Sequence, residues 1–293
     1  MKVLNFGSLN VDNVYSMPHF VTAGETLASS KIEKFCGGKG LNQSVALAKA
    51  GLQVYHAGAV GNDGDMLLDV CHEYGVDTTY IKKMDGPGGH TVIQVDETGQ
   101  NCIILYGGTN RLITPPFVDE VIAGFGEGDI LVLQNEISSL PYIIDKAYAA
   151  GMKIVLNPSP YDSNLDGCDF SKIWLFLLNE VEGLQCTGCS EPQQIMDELM
   201  KKYPGSCVVL TLGSAGAWYC DKSARVFQDI FKVKAVDTTA AGDTFTGFFV
   251  ASLTSGESPA ESLRIAAKAS SIAVTRKGAA PSVPTIEEVK SQL

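Results

Sequence analysis

No apolar run in these 293 residues approaches the roughly 20 that an α-helix needs to cross a bilayer. The longest candidates, such as Ile173 to Leu178, have the length of a strand. The opening Met1-Lys2-Val3-Leu4-Asn5-Phe6-Gly7 is broken by Asn and Gly too soon to form the apolar core of a secretory signal. Positive charge is scarce: 22 Lys and Arg stand against 33 Asp and Glu, for a net charge of -11. That balance argues against nucleic acid or a membrane surface as partner, because binding their phosphates needs a cationic face. It still leaves room for a local cationic site that takes a nucleotide. Histidine is limited to His19, His56, His72 and His90, with no metal-ligand spacing among them. The eight cysteines are scattered and several sit in apolar runs, so they read as reduced, buried thiols of a cytoplasmic protein. Cys186-Thr-Gly-Cys189 has neither a second pair nor a strand-to-helix setting, and reads as a loop. Two phosphate-binding patterns are missing. The G-x-x-x-x-G-K-[ST] spacing is absent, with Leu41 after Gly40 where a hydroxyl would be required, and no G-x-G-x-x-G follows a strand. Ser8 and Ser214 lack a His/Asp partner order, and Asp63-Gly64-Asp65 lacks the later ligands of a calcium loop and reads as a turn and helix cap.

What is present is an ordinary globular composition, 45% hydrophobic and 19% charged, with short β-branched runs alternating with longer amphipathic stretches. Strands are predicted at Val3 to Leu9, Val54 to Val60, Ile130 to Leu133, Lys153 to Leu156, Ile173 to Leu178 and Cys207 to Leu212. Helices are predicted at Gly40 to Ala50, Asp63 to Tyr74, Ser138 to Ala150, Glu191 to Tyr203, Ala241 to Ser255, Pro259 to Thr275 and Thr285 to Leu293. This rhythm favours right-handed crossovers and a mostly parallel sheet covered on both faces, an α/β fold. No repeat, low-complexity tract or linker divides residues 1–293, so a single domain is expected. Two segments break the rhythm. Val11 to Met17 pairs with Thr26 to Phe35, and Thr91 to Val95 pairs with Cys102 to Tyr106 through a turn-rich connection. Together they predict a small antiparallel sheet that can act as a lid over the carboxyl ends of the parallel strands.

Two motifs carry chemistry. Val236-Asp237-Thr238-Thr239-Ala240-Ala241-Gly242-Asp243 puts small residues at a helix start, where free N–H groups and close backbone approach suit a phosphate. Asp243 fits two readings there: an acid complementing the helix dipole, or a base beside a transferring phosphoryl group. Gly37-Gly38-Lys39-Gly40-Leu41-Asn42 follows a strand and opens a helix. It reads either as a polar pocket for a hydroxylated or anionic ligand or as a Gly-rich turn with a solvated Lys. His90, ahead of the lid hairpin, is a further candidate substrate contact.

These two motifs, about 200 residues apart, together with Gly7-Ser8-Leu9-Asn10-Val11-Asp12 and the closing Thr275-Arg276-Lys277-Gly278-Ala279-Ala280-Pro281-Ser282-Val283-Pro284, resemble the PfkB carbohydrate kinase family across the whole chain. The resemblance leans to its ribokinase branch through Asn10, Asp12 and Asn42. It implies a ribokinase-like three-layer sandwich with a β lid, and ATP-dependent phosphorylation of a pentose primary hydroxyl, with D-ribose going to ribose 5-phosphate. By resemblance, Asp243 is the catalytic base, and Ala241 and Gly242 with the Asp243 N–H form an anion hole. Asn10, Asp12, Gly38, Lys39, Asn42 and Glu136 match sugar-contacting positions. Thr211, Gly213, Gly216, Gly242, Ala267 and Asn179 match ATP-contacting ones, with Ala267 standing where many relatives place a His or Asn. Asn179 and Glu182 match the pair that positions hydrated Mg²⁺. Asp237, Thr239, Ala273, Arg276, Gly278 and Ser282 match positions around an activating K⁺. Leu41 and Asn135 sit beside sugar-contacting positions and are bulkier or more polar than the branch pattern, a difference that can alter which sugar fits. A homodimer paired through the lid is a further implication. Other acceptors (deoxyribose, fructose, adenosine) and a non-catalytic sugar-binding protein stand as alternatives.

Overall fold

The computed structural model describes residues 1–293. β1 (Val3–Phe6) runs into β2 (Asn10–Ser16) and β3 (Lys31–Gly37), followed by α1 (Lys39–Lys49), β4 (Val54–Val60), α2 (Asp65–Glu73) and β5 (Asp77–Lys83). β6 (Gly89–Val95) and β7 (Asn101–Tyr106) precede α3 (Pro115–Ile122), β8 (Ile130–Gln134), α4 (Leu140–Ala149) and β9 (Lys153–Asn157). Next come β10 (Leu175–Asn179), α5 (Glu180–Thr187), α6 (Pro192–Lys202), β11 (Cys207–Thr211), β12 (Ala217–Cys220) and β13 (Arg225–Gln228). The chain closes with α7 (Ala241–Thr254), α8 (Pro259–Ala273) and α9 (Ile286–Ser291).

The large sheet has the order β13-β12-β11-β10-β9-β8-β1-β4-β5, parallel from β11 to β5, with β12 and β13 added antiparallel at one edge. Its strands are apolar at successive positions because both faces are covered. Val3, Val132, Leu177 and Val209 point into one core with α1, α7 and α8. Leu4, Leu131, Phe176 and Leu210 point into the other with α3, α4 and α6. A fully buried side chain of this size contributes roughly 1.5–3 kcal/mol, so two such cores fix the alternation and hence the register of every strand.

The second sheet, β3-β2-β6-β7, stands apart. Each predicted pair forms antiparallel, β2 with β3 and β6 with β7, and the pairs join through parallel β2 and β6. Thr26 to Ser30 fall outside β3.

Several elements carry weak sequence signals. β5 is a half-buried edge strand rich in Thr and Lys. α3 opens on Pro115-Pro116, residues that read as breakers but suit the first helical turn. α5 is short and contains Gly183, and it places Cys186 in its last turn rather than in a loop. All eight cysteines are free, yet only Cys71 and Cys220 are fully buried and Cys102 is exposed, so the expectation of buried thiols holds for a minority. No helix is long and apolar enough to cross a membrane.

Candidate active site

The parallel strands end on one side of the sheet, and their carboxyl ends deliver the polar residues. Ser8 follows β1, Glu136 follows β8, and Asn157, Asn179 and Thr211 close β9, β10 and β11. Two helix N-termini arrive from the same side, those of α1 and α7. The pair packs closely because Gly247 on α7 lies against Ala46 on α1, where a Cβ would collide with the Ala46 backbone and side chain. At its own N-terminus α1 makes a second close approach: a Cβ on Gly40 would overlap the Gly7–Ser8 backbone. The glycines of Gly37-Gly38-Lys39-Gly40 thus seat the helix on the first strand–turn, rather than only freeing a loop.

Asp243, 8% exposed in the first turn of α7, faces the start of α1. Its Oδ1 accepts from Gln43 Nε2 at 2.9 Å and its Oδ2 from Asn42 Nδ2 at 3.2 Å. Ahead of it, Ala240 holds φ 58 and ψ 14, a left-handed conformation that costs a non-glycine residue roughly 1–2 kcal/mol. That turn aims the first N–H groups of α7 into two adjoining cavities of about 450 and 280 Å³, which share Thr211, Thr238, Ala241 and Gly242. A Cβ on Gly242 would meet nothing within 4 Å. The space beside it is open and lies at a helix N-terminus, the setting that stabilises an anion.

The larger cavity gathers Thr211, Gly213, Gly216, Gly242 and Ala267 from the expected ATP positions. It also takes a wall that the sequence reading did not identify, Ile230, Phe231 and Val233, from the connection after β13. Three apolar residues in an otherwise turn-rich segment were the available signal. Lys268 Nζ sits 5.1 Å from the Phe231 ring centroid, which ties this wall to α8.

The smaller cavity brings together Lys39, Asn179, Glu182, Gly242 and Asp243. Asn179 and Glu182 form a capping box: Asn179 Oδ1 accepts from the Val181 and Glu182 N–H groups, and Glu182 Oε2 accepts from the Asn179 N–H. Each therefore keeps one polar atom for a ligand while holding the start of α5. Burial pulls the Lys39 ammonium down, but Asp243, Glu136 and Glu182 around it outweigh that and hold it above its ordinary value. Lys39 stays a cation in the smaller cavity, with Gly242 and Asp243.

On the lid side, Asn10 Oδ1 accepts from Asn110 Nδ2 at 2.7 Å, and Asp12 Oδ1 from Thr91 Oγ1 at 2.6 Å. Glu136 Oε2 accepts from Ser8 Oγ and from the Lys39 N–H. Burial raises both acids above the usual carboxylate range, against the hydrogen bonds from Thr91 to Asp12 and from Ser8 to Glu136. Asn42 Oδ1 is buried with no hydrogen-bond partner, a vacancy that a ligand hydroxyl would fill. Gly38, at φ 94, caps α1 beneath this group.

Leu41, Asn135 and His90, each singled out for a bearing on specificity, have partners of their own. Leu41 is fully buried in the core. Asn135 donates to the Pro160 carbonyl and to Asp162 and accepts from Asn164, so it braces the loop after β9. His90 Nδ1 lies 3.0 Å from the Gly88 carbonyl and the ring packs on Tyr106. Strand alternation puts it on the face opposite Thr91 and Asp12.

Around the loop before α7, Asp237 Oδ1 accepts from the Thr239 N–H and hydroxyl, and Oδ2 from the Gly278 N–H at 2.9 Å. Burial opposes the charge, but these bonds and Lys277 keep Asp237 below its ordinary range. Ala273 ends α8, and Arg276 and Ser282 lie in the connection that follows it. The Arg276 side chain is committed to Glu288 on α9, so only its backbone is free to face a cation. The Ser282 hydroxyl donates to the Ala279 carbonyl.

The model of the pfkB family of carbohydrate kinases matches residues 1–286. A ribokinase of Haemophilus influenzae is 35% identical over 295 residues, covering 96% of this chain and 95% of its own. Among solved structures, the ribokinase of Arabidopsis thaliana complexed with ribose and ATP superposes with a TM-score of 0.87 at 29% identity, covering 99% of this chain and 97% of its own. The ribokinase of Cryptococcus neoformans in complex with ADP gives 0.87 at 30% identity, covering 100% and 99%. A carboxylate at a helix start, a cation beside it and a family match over nearly the whole length converge: this chain belongs to the pfkB family of carbohydrate kinases.

Proposed function

We propose that the chain phosphorylates the primary hydroxyl of a pentose, D-ribose giving ribose 5-phosphate, with ATP as donor. The observation that carries this reading is Asp243 itself: both of its oxygens are held at the junction of α1 and α7, one residue from Gly242, where an added Cβ would meet no heavy atom within 4 Å. The sugar lies between lid and sheet, its hydroxyls on Asn10, Asp12, Asn42 and Glu136. ATP lies along the larger cavity with its γ-phosphate at Gly242 and Lys39. As the sugar oxygen bonds to the γ-phosphorus, its O–H proton passes to Asp243, and the bridging oxygen leaves with the electron pair on ADP. Ala241, Gly242 and the Asp243 N–H stabilise the charge on the transferring group, where positioning and electrostatics supply most of the rate. Closure of the lid excludes water and limits wasteful hydrolysis of ATP.

Of the Asn179–Glu182 pair, Glu182 keeps Oε1 as a free acceptor and fits the water shell of a Mg²⁺, which would supply charge neutralisation along the triphosphate, while Asn179 keeps Nδ2, which can donate to a phosphate oxygen. Asp237, a carboxylate held ionised, fits a K⁺ with carbonyl oxygens from Thr239, Ala273, Arg276 and Gly278 and with Ser282. A second copy of the chain covers the lid. An ATP-consumption screen over pentoses, hexoses and nucleosides, with and without K⁺, tests the reading. The highest kcat/KM falls on D-ribose if it is right. Turnover confined to a nucleoside or a hexose, or sugar binding with no turnover, refutes it.

A further inference from the structure

Behind Asp243 the side chains of Gln43, Gln134, Asn5, Ser44 and His56 form a fully buried chain. Gln43 on α1 is fully buried, and its amide is saturated: Nε2 donates to Asp243 Oδ1 at 2.9 Å and to Asn157 Oδ1 at 3.3 Å, and Oε1 accepts from Gln134 Nε2 at 2.7 Å. The same Gln134 nitrogen donates to Asn5 Oδ1 at 2.9 Å, while Asn5 Nδ2 is spent on the Gly40 carbonyl and the Ser44 hydroxyl. Ser44 in turn meets His56 Nδ1 at 2.8 Å. Asn5, Gln43, Ser44, His56 and Gln134 are fully buried, Asn157 alone reaches the smaller cavity, and each donor that is spent fixes the orientation of the next amide.

This order has a direction. Asn5 turns its oxygen to Gln134 because its nitrogen is used on α1. Gln134 therefore presents its nitrogen to Gln43, which must present its own nitrogen to Asp243. A flipped Gln43 amide would set oxygen against the carboxylate and nitrogen against the Gln134 donor, at a side chain with no exposed surface. The two oxygens of Asp243 are also unequal. Oδ1 is bound to a buried, fully partnered amide; Oδ2 is bound at 3.2 Å to Asn42, whose own carbonyl oxygen lacks a partner.

We propose that Gln43, oriented by Gln134 and Asn5, is a positioning residue that pins Oδ1 of Asp243 and so leaves Oδ2 as the atom that receives the acceptor's proton. This rests on Asp243 being the base. Gln43 touches no substrate; it acts by fixing the carboxylate plane against the in-line path, where small displacements are costly.

The test is a double-mutant cycle on the full-length chain. Gln43→Met conserves volume and removes the amide. It is expected to lower kcat by roughly ten- to a hundredfold, the scale of a lost hydrogen bond to a charged group, with the KM for ATP unchanged. In an Asp243→Asn background the same substitution is expected to change residual kcat little, because there is no longer a base to position. Gln134→Met frees the Gln43 amide to rotate without touching Asp243, and should give a smaller loss that also vanishes in that background; it serves if Gln43→Met does not fold. Wild-type kcat in folded Gln43→Met, or an equal loss in both backgrounds, overturns the proposal and leaves Asp243 as base intact. Full activity in Asp243→Asn alone removes the base assignment instead.

Discussion

Gly242 and Asp243 are adjacent but have opposite surroundings. Asp243 is nearly enclosed, whereas a Cβ on Gly242 would project into space with no heavy atom within 4 Å. Gly242 lies inside α7, where alanine is intrinsically better than glycine by roughly 1 kcal/mol. Gly242→Ala should therefore keep or raise the melting temperature while lowering kcat at least tenfold, because the new methyl group enters the volume that the γ-phosphate needs. Thermal denaturation and steady-state kinetics on one preparation check both halves, and an active variant would move the phosphate elsewhere. At this scale much of the site was legible. Asp243, Gly242 and Asn42 stand in the two motifs and Glu136 follows from the family resemblance; the structure sets Asn42 against Asp243 and Glu136 against the Lys39 N–H. Gln43 was not legible, since a glutamine inside a helix reads as solvated surface until a partner helix and two strands close over it. Leu41 and Asn135 show the limit of sequence adjacency: beside contact positions in the chain, one turns into the core and the other braces the loop after β9.

Among the elements, α5 shows one pair of residues serving two ends. The Asn179–Glu182 capping box satisfies N–H groups that the start of α5 would otherwise leave open, and the same residues line the smaller cavity. Asn179→Ala should cost about 1 kcal/mol of stability as a lost N-cap and also reduce activity. Asn179→Asp keeps the cap, so stability should be retained while kcat falls, because a new negative charge faces the triphosphate. Denaturant melts beside kinetics separate the roles; equal activity in Asn179→Asp and the wild type would confine Asn179 to capping. The elements missed from sequence share a cause. α3, α5, β5 and the β12–β13 hairpin are short, lie at edges or carry Pro and Gly, so their stability comes from the neighbours they pack on rather than from periodicity. Long buried strands such as Val54 to Val60 were read to the residue because both faces demand apolar side chains.

For the molecule as a whole, the lid poses the outstanding demand. Every residue of β7 is exposed, and Ile103, Ile104, Leu105 and Tyr106 are 44–60% accessible on an edge strand with free backbone groups. Such an edge is a site of association unless it is covered. A dimer is expected by light scattering, and Ile104→Glu with Leu105→Glu should shift it toward monomer and raise the KM for sugar through a looser lid. A wild-type monomer at micromolar concentration would remove the lid pairing and leave the catalytic assignment untouched. That assignment governs the rest: two helix starts and five strand ends are arranged around one carboxylate. The most direct test is kcat for D-ribose in Asp243→Asn, with ATP affinity measured by calorimetry on the same protein. A loss of about 10²–10⁴ in kcat with ATP binding retained is predicted, while near-wild-type turnover with bound ATP would contradict Asp243 as the base.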